Sequence, residues 1–267
     1  MSKSKLRVIS HNIVPNSSEN PRLLLLGTHH KTGTLWMERL LAEFSNRTGI
    51  PLIDLGYMIE FEGAQGEQLI PAKGRAILFS HDATLLTPEL LGGYSAAGFH
   101  IIRDPRDVAI SGAAYHSKPE CVVGEPWLLE PFEGYKSYQA ALLAQPSFEH
   151  RVLFEAKHIA QATSMAMVRV HEAGFLRTLR YEDLVAANFR GGAPHAIRDT
   201  WRLSGSTWNH FRLAFNHTHL RSDRMNGHVQ INNGSIEQWK KLPAFFREKI
   251  NEVLGDLASR LGYLAGP

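Results

Sequence analysis

The chain holds a single cysteine, Cys121, in 267 residues. That excludes an internal disulfide framework and fits a reducing compartment. Long apolar runs are also missing. The longest near the start, Leu23–Leu26, is far too short to cross a membrane. The opening Met-Ser-Lys-Ser-Lys-Leu-Arg is basic but lacks the apolar stretch of a secretory signal. The net charge is only +3 with a pI near 9.0, and the basic residues are scattered, which argues against a nucleic-acid partner. No cysteine–histidine spacing of a metal site appears, so His29-His30 and His217-Thr218-His219 read as loop residues rather than zinc ligands. Together these absences predict a soluble, cytoplasmic protein that uses no metal and binds neither membrane nor nucleic acid.

What is present is ordinary globular composition. With 43% hydrophobic residues, the chain is long enough to bury a substantial core. Residues 1–20 read as a polar leader and 21–267 as one domain. The apolar run Leu23–Leu26, then Gly27 and Thr28, reads as a buried strand. From Thr34 the apolar residues Leu35, Met37, Leu40, Leu41 and Phe44 recur at helical spacing. A second unit starts with Ala76–Ser80, followed by a polar turn and the apolar stretch Leu85–Leu91. A third is the strand Gly98–Arg103, after which Asp104-Pro105 has the form of a helix N-cap with proline in the first turn. Gly174–Tyr181 predicts a further strand, 146–173 one long helix, and 243–262 a terminal amphipathic helix. Alternating strands and helices predict an α/β fold, a single domain with a mainly parallel central sheet. Residues 117–145 interrupt the rhythm. Their prolines and aromatics predict a lid or acceptor-binding insertion, or else a surface excursion with a small core of its own.

The turn between the first strand and the first helix carries the most chemistry. In His29-His30-Lys31-Thr32-Gly33-Thr34-Leu35-Trp36, a helix N-terminus supplies unpaired N–H groups and Lys31 a mobile charge. Thr32 and Thr34 add hydroxyls, and Gly33 permits close approach of the backbone to a ligand. The result is a phosphate cradle. It differs from the loop of nucleotide triphosphatases, in which lysine follows the glycine directly. A second anion site is suggested by Arg103 at a strand end and Ser111 two turns into the next helix, since guanidinium offers forked donors suited to phosphate. A plain alternative pairs Arg103 with Asp107.

The order Lys31-Thr32-Gly33-Thr34-Leu35-Trp36 after a strand resembles the 5′-phosphosulfate loop of sulfotransferases that use 3′-phosphoadenosine 5′-phosphosulfate (PAPS). Arg103-Asp104-Pro105-Arg106-Asp107-Val108-Ala109-Ile110-Ser111 resembles the same family's 3′-phosphate segment. Leu179-Arg180-Tyr181-Glu182-Asp183 resembles its Tyr-Glu-Asp segment. Asn232-Asn233-Gly234, followed by Trp239, is similar to its C-terminal loop, with two asparagines where the family has basic residues. The resemblance implies that Lys31, Thr32, Gly33, Thr34 and Leu35 meet the 5′-phosphosulfate. Trp36 and Tyr181 would flank the adenine. Arg103, Ser111 and the Asn232–Gly234 loop would hold the 3′-phosphate. Loss of the two cations predicts a weaker 3′ site unless Arg221 or Arg224 compensates.

The implied reaction moves a sulfuryl group to a hydroxyl or amine by in-line displacement, without metal, and releases adenosine 3′,5′-bisphosphate (PAP). It needs a base, and histidine suits. His81 follows the second strand, where ligands gather in parallel sheets. It also matches the family's catalytic histidine in place, although Phe79 stands where a lysine is usual. His29, His30 and His116 are its rivals. Lys31 would neutralise charge on the bridging oxygen. The aromatics of 117–145 suggest a small acceptor, an apolar or aromatic alcohol, with carbohydrate as the alternative because aromatic rings also stack on sugars. Two other functions compete: an ATP-dependent phosphotransferase, and a module that binds PAP or PAPS without turnover.

Overall fold

The structure is a computed structural model, and it describes residues 20–56, 70–71, 73–187, 192–219 and 235–263. Of the leader, only Asn20 is among them. Five parallel strands form one sheet: β1 (Leu23–Gly27), β2 (Leu52–Asp54), β3 (Ala76–Ser80), β4 (Ala96–Ile102) and β5 (Arg177–Arg180). Their spatial order is β2-β3-β1-β4-β5. Leu23 pairs with Ala76 on one side and Ala96 on the other, so β1 is central and hydrogen-bonded along both edges.

The continuous leucine run follows from this position. Successive side chains of a strand point to opposite faces, and both faces here are covered. Leu24 and Leu26 enter a core with Trp36, Phe44, Trp201, Phe211 and Phe215. Those residues come from α1 (Thr34–Thr48), α7 (Ala193–Trp201) and α8 (Gly205–Thr218). Leu23 and Leu25 pack instead against Ala83, Leu86, Leu91, Val170 and Leu176. A further core unites α2 (Pro105–His116), α4 (Phe148–Lys157), α5 (Ile159–Ala173) and α9 (Ala244–Arg260) through Val108, Val152, Met167, Ile250 and Leu254. The short helices α3 (Tyr138–Leu143) and α6 (Tyr181–Ala186) complete the set named here. The single-domain parallel α/β arrangement expected from the sequence is the observed one.

Three local expectations need correction. After β3 only a 3₁₀ turn, Ala83–Leu85, forms before β4. Pro88 and the positive-φ pair Gly92 and Gly93 punctuate the apolar stretch that follows. The helix expected over 146–173 is two helices, broken at His158 (φ −118°, ψ −95°). Neither glycine nor proline marks that break, which carries the His158 ring into a cluster with Phe132 and Phe154. His217 and Thr218 close α8 rather than lying in a loop. Residues 117–135 form 3₁₀ turns over Pro119–Val123 and Pro126–Leu129, around a small core of Cys121, Leu128 and Tyr138.

Candidate active site

A cleft of about 710 Å³ opens at the carboxyl ends of β1, β3 and β4. Ligands of open parallel sheets bind in this position. Lys31, Gly33, Thr34, Leu35, Trp36, His81, Arg103, Ser111 and Tyr181 all border it, although they come from four separate segments. Asn232, Asn233 and Gly234 lie outside the described residues, as do Arg221 and Arg224.

The β1–α1 turn is strained and open. Lys31 has φ 60° and Gly33 has φ 102°, a region that L side chains avoid. A Cβ on Gly33 would also stand 3.1 Å from the Tyr181 ring, a tight approach that adds to the preference for glycine. Gly33 is the N-cap of α1, and no side chain caps that helix. Trp36 and Met37 N–H donate back to Gly33 O. Among the described residues, the N–H groups of Gly33, Thr34 and Leu35 meet no acceptor. Those donors and the positive helix end are what an oxyanion requires.

Thr32 departs from its expected role in this conformation. Its hydroxyl donates to His29 O and accepts from His29 N–H, both at 2.9 Å, which locks the turn from within. Thr34 Oγ1 lies 2.9 Å from Thr28 Oγ1. The Lys31 ammonium rests 3.4 Å from the centre of the Tyr115 ring. Burial pulls its pKa down to about 8, against the attraction of Glu125.

The β4–α2 turn is built differently. Asp104 caps α2, accepting from Arg106 N–H at 3.0 Å, and pairs with the Arg106 guanidinium at 2.7 Å. That guanidinium also lies 3.7 Å over the Trp239 ring. Arg103 does not pair with Asp107. Its two terminal nitrogens donate to Lys31 O and Ser235 O, and its Nε is buried without a partner. The Arg103 guanidinium stacks 4.7 Å from the centre of the Tyr181 ring. Ser111, on α2, is buried and borders the cleft. Asp107 Oδ1 accepts from Trp239 N–H at 3.0 Å while Oδ2 is unpartnered. Burial raises the Asp107 pKa to about 6, against the pull of Arg103.

Trp36 packs edge-on to Tyr181 with ring centres 6.3 Å apart, and both rings are largely buried at the cleft wall. Four histidines were candidates for the base. His29 is buried, with Nε2 3.2 Å from His100 Nδ1, and burial pulls its pKa down to about 4. Burial takes His30 down to about 3. His116 is fully buried, with Nδ1 and Nε2 held by Glu155 and Glu125 at 2.7 and 3.0 Å. His81 differs from all three: it is exposed on the cleft wall. It lies directly on Gly56, where a Cβ would fall 2.0 Å from its Cε1.

Sequence reasoning missed Glu125, Trp127, Thr163 and Asp82 on the cleft wall. Trp127 and Glu125 belong to the segment singled out for its aromatics, but nothing in that segment's spacing shows which residues turn inward.

No family model matches the chain, and neither does any curated protein sequence. Solved structures do. Mouse sulfotransferase SULT7A1 complexed with PAP superposes with a TM-score of 0.54 at 14% identity, over 91% of this chain and 89% of that one. Retinol dehydratase in complex with androsterone and inactive cofactor PAP superposes with a TM-score of 0.52 at 15% identity, over 90% of this chain and 81% of that one. The fold is the sulfotransferase fold. At these identities the likeness concerns the path of the backbone. Among the described residues, no helix of this sulfotransferase fold is long and apolar enough to cross a membrane.

Proposed function

We propose that the chain transfers the sulfuryl group of PAPS to a hydroxyl or amine of a small-molecule acceptor and releases PAP. One observation carries the reading. Two turns and two aromatic rings, in segments whose sequences resemble one family, border a single cleft in the fold of PAP-bound sulfotransferases. Lys31 precedes Gly33, which is not the order of a nucleotide-triphosphate loop.

Under this reading the open N–H groups of Gly33, Thr34 and Leu35 hold the 5′-phosphosulfate, and Lys31 moves off Tyr115 to the bridging oxygen. Arg103 and Ser111 take the 3′-phosphate. The buried, unpartnered Arg103 Nε supports this assignment, because an unpaired donor in a buried position is costly. Trp36 and Tyr181 border the adenine. The acceptor enters from the side of Trp127 and Thr163. Its oxygen forms a bond to sulfur as the bond from sulfur to the bridging oxygen breaks. His81 takes the acceptor proton, and Lys31 offsets the charge that develops on the leaving PAP. The androsterone bound by retinol dehydratase is an apolar alcohol, which agrees with an apolar acceptor here.

The test is turnover of PAPS with a panel of apolar and aromatic alcohols, read as PAP release and sulfated product. His81→Ala is expected to lower kcat by ~100-fold or more at unchanged PAP affinity. Undiminished turnover in that variant would remove His81 from the reaction. Tight PAP binding with no acceptor sulfated would favour the non-catalytic module instead.

A further inference from the structure

Beside the cleft stands a group of side chains that the proposed reaction does not use. His30 comes from the β1–α1 turn, His116 from the last turn of α2, and Glu125 from between the two 3₁₀ turns of 117–135. His30 Nε2 and His116 Nε2 are 3.0 Å apart, and His116 Nε2 and Glu125 Oε2 are also 3.0 Å apart. His30 Nε2 and Glu125 Oε2 are separated by 3.7 Å. Tetrahedral ligands about 2.0–2.1 Å from a zinc ion stand about 3.3 Å from one another, and the three observed distances bracket that value. We propose that His30, His116 and Glu125 form a binding site for a divalent first-row metal ion of the zinc class.

A second observation supports a built site. His116 Nδ1–H donates to Glu155 Oε1 at 2.7 Å, and both side chains are fully buried. This is the carboxylate–histidine pairing that fixes the tautomer of a metal ligand and directs its other nitrogen outward. Space for that carboxylate is provided by Gly112, one turn earlier on α2. A Cβ there would lie 2.7 Å from Glu155 Oε2. Glycine inside a helix costs about 1 kcal/mol relative to alanine, so the gap is maintained against helix propensity.

The two facing Nε2 atoms at 3.0 Å share a hydrogen bond, and a metal ion would take the place of its proton. Trp127 sets its ring edge-on to both imidazoles, with centres 6.3 and 5.3 Å away, and closes one side. His30 and Glu125 border the cleft, so the coordination positions left open adjoin it. The neighbouring Lys31 ammonium opposes a cation at this place. The ligands are 86 and 9 residues apart in sequence, which is why linear spacing alone gave no sign of them. The site does not depend on the sulfotransferase reading.

The test uses the untagged full chain freed of metal by chelator and titrated with Zn²⁺ by calorimetry. Co²⁺ absorption reports the geometry. One equivalent is expected, with the intense visible bands of tetrahedral Co²⁺. His30→Ala and Glu125→Gln are each expected to weaken Zn²⁺ binding by ~100-fold, and Glu155→Gln by ~10–100-fold. Circular dichroism melts confirm that each variant is folded; His30 and Glu125 are partly exposed, unlike the fully buried His116 and Glu155, which makes their variants the more tolerant ones. Less than one equivalent in the parent protein would overturn the proposal. So would equal affinity in folded His30→Ala and Glu125→Gln, which would place the metal elsewhere.

Discussion

The two turns that face the cleft, β1–α1 and β4–α2, each join a buried strand to a helix, yet they leave opposite things free. At β1–α1 no side chain caps the helix, and three backbone donors stay open. At β4–α2 Asp104 occupies the helix N-terminus and Pro105 fills the first turn, so the backbone has nothing left to offer. What the second turn presents is side chains: Arg103 before the cap and Ser111 beyond it. Under the proposed function the first site would take an oxyanion through backbone and helix dipole, the second through side chains, the Arg103 guanidinium with its unpartnered Nε first among them. The difference teaches that a helix terminus binds a ligand only where its own sequence has not already satisfied it.

Several substitutions should break or sharpen that contrast. The largest effect is expected from Gly33→Asp, which places a carboxylate on the open helix end and forces a side chain toward Tyr181 at φ 102°. Binding of AMP and PAP should fall together by ~100-fold or more, as titration calorimetry would show. Retained AMP binding would show that the open donors do not bind the 5′ end.

Asp107 lies just behind the second turn. Its pKa of about 6, raised by burial, lies above the ordinary carboxylate value of 3.8. Between those values the folded protein holds a proton that the unfolded chain has released, so stability is gained at low pH and lost as pH rises through 6. Relative to Asp107→Asn, the wild type should therefore gain roughly 2–3 kcal/mol between pH 7.5 and pH 4. Urea melts at several pH values measure this, and a flat difference would contradict it.

Asp104→Ala removes both the cap and the Arg106 ion pair and should cost about 2 kcal/mol of stability. It should leave AMP binding unchanged, because the first turn is untouched. The smallest effect is expected from Lys31→Met. AMP and PAP affinity should fall equally, by about tenfold, since one mobile cation is lost while the backbone donors remain.

Both turns were legible in the sequence because each is written in contiguous residues. The N-cap and first-turn proline at Asp104-Pro105 and the glycine at position 33 are local signals with a direct backbone meaning. Other features depend on tertiary contacts. β2 spans three residues at the sheet edge, too few for a period to show. Helices α7 and α8 do carry a local signal, Ile197 with Trp201 and Phe211 with Phe215 at helical spacing. The hydroxyl of Thr32 was expected to face the ligand, but it turns inward because His29 offers both a donor and an acceptor three residues away. The meeting of His30, His116, Glu125 and Glu155 depends on four separate backbone segments, and no linear pattern encodes it.

The most direct measurement of the central claim is calorimetric titration of PAP and AMP into the wild type and Arg103→Ala. If the second turn is a side-chain phosphate site, the wild type prefers PAP, and Arg103→Ala loses that preference by ~100-fold, a far larger loss than any in its AMP affinity. Equal binding of PAP and AMP by the wild type, or an undiminished preference in Arg103→Ala, would contradict the account.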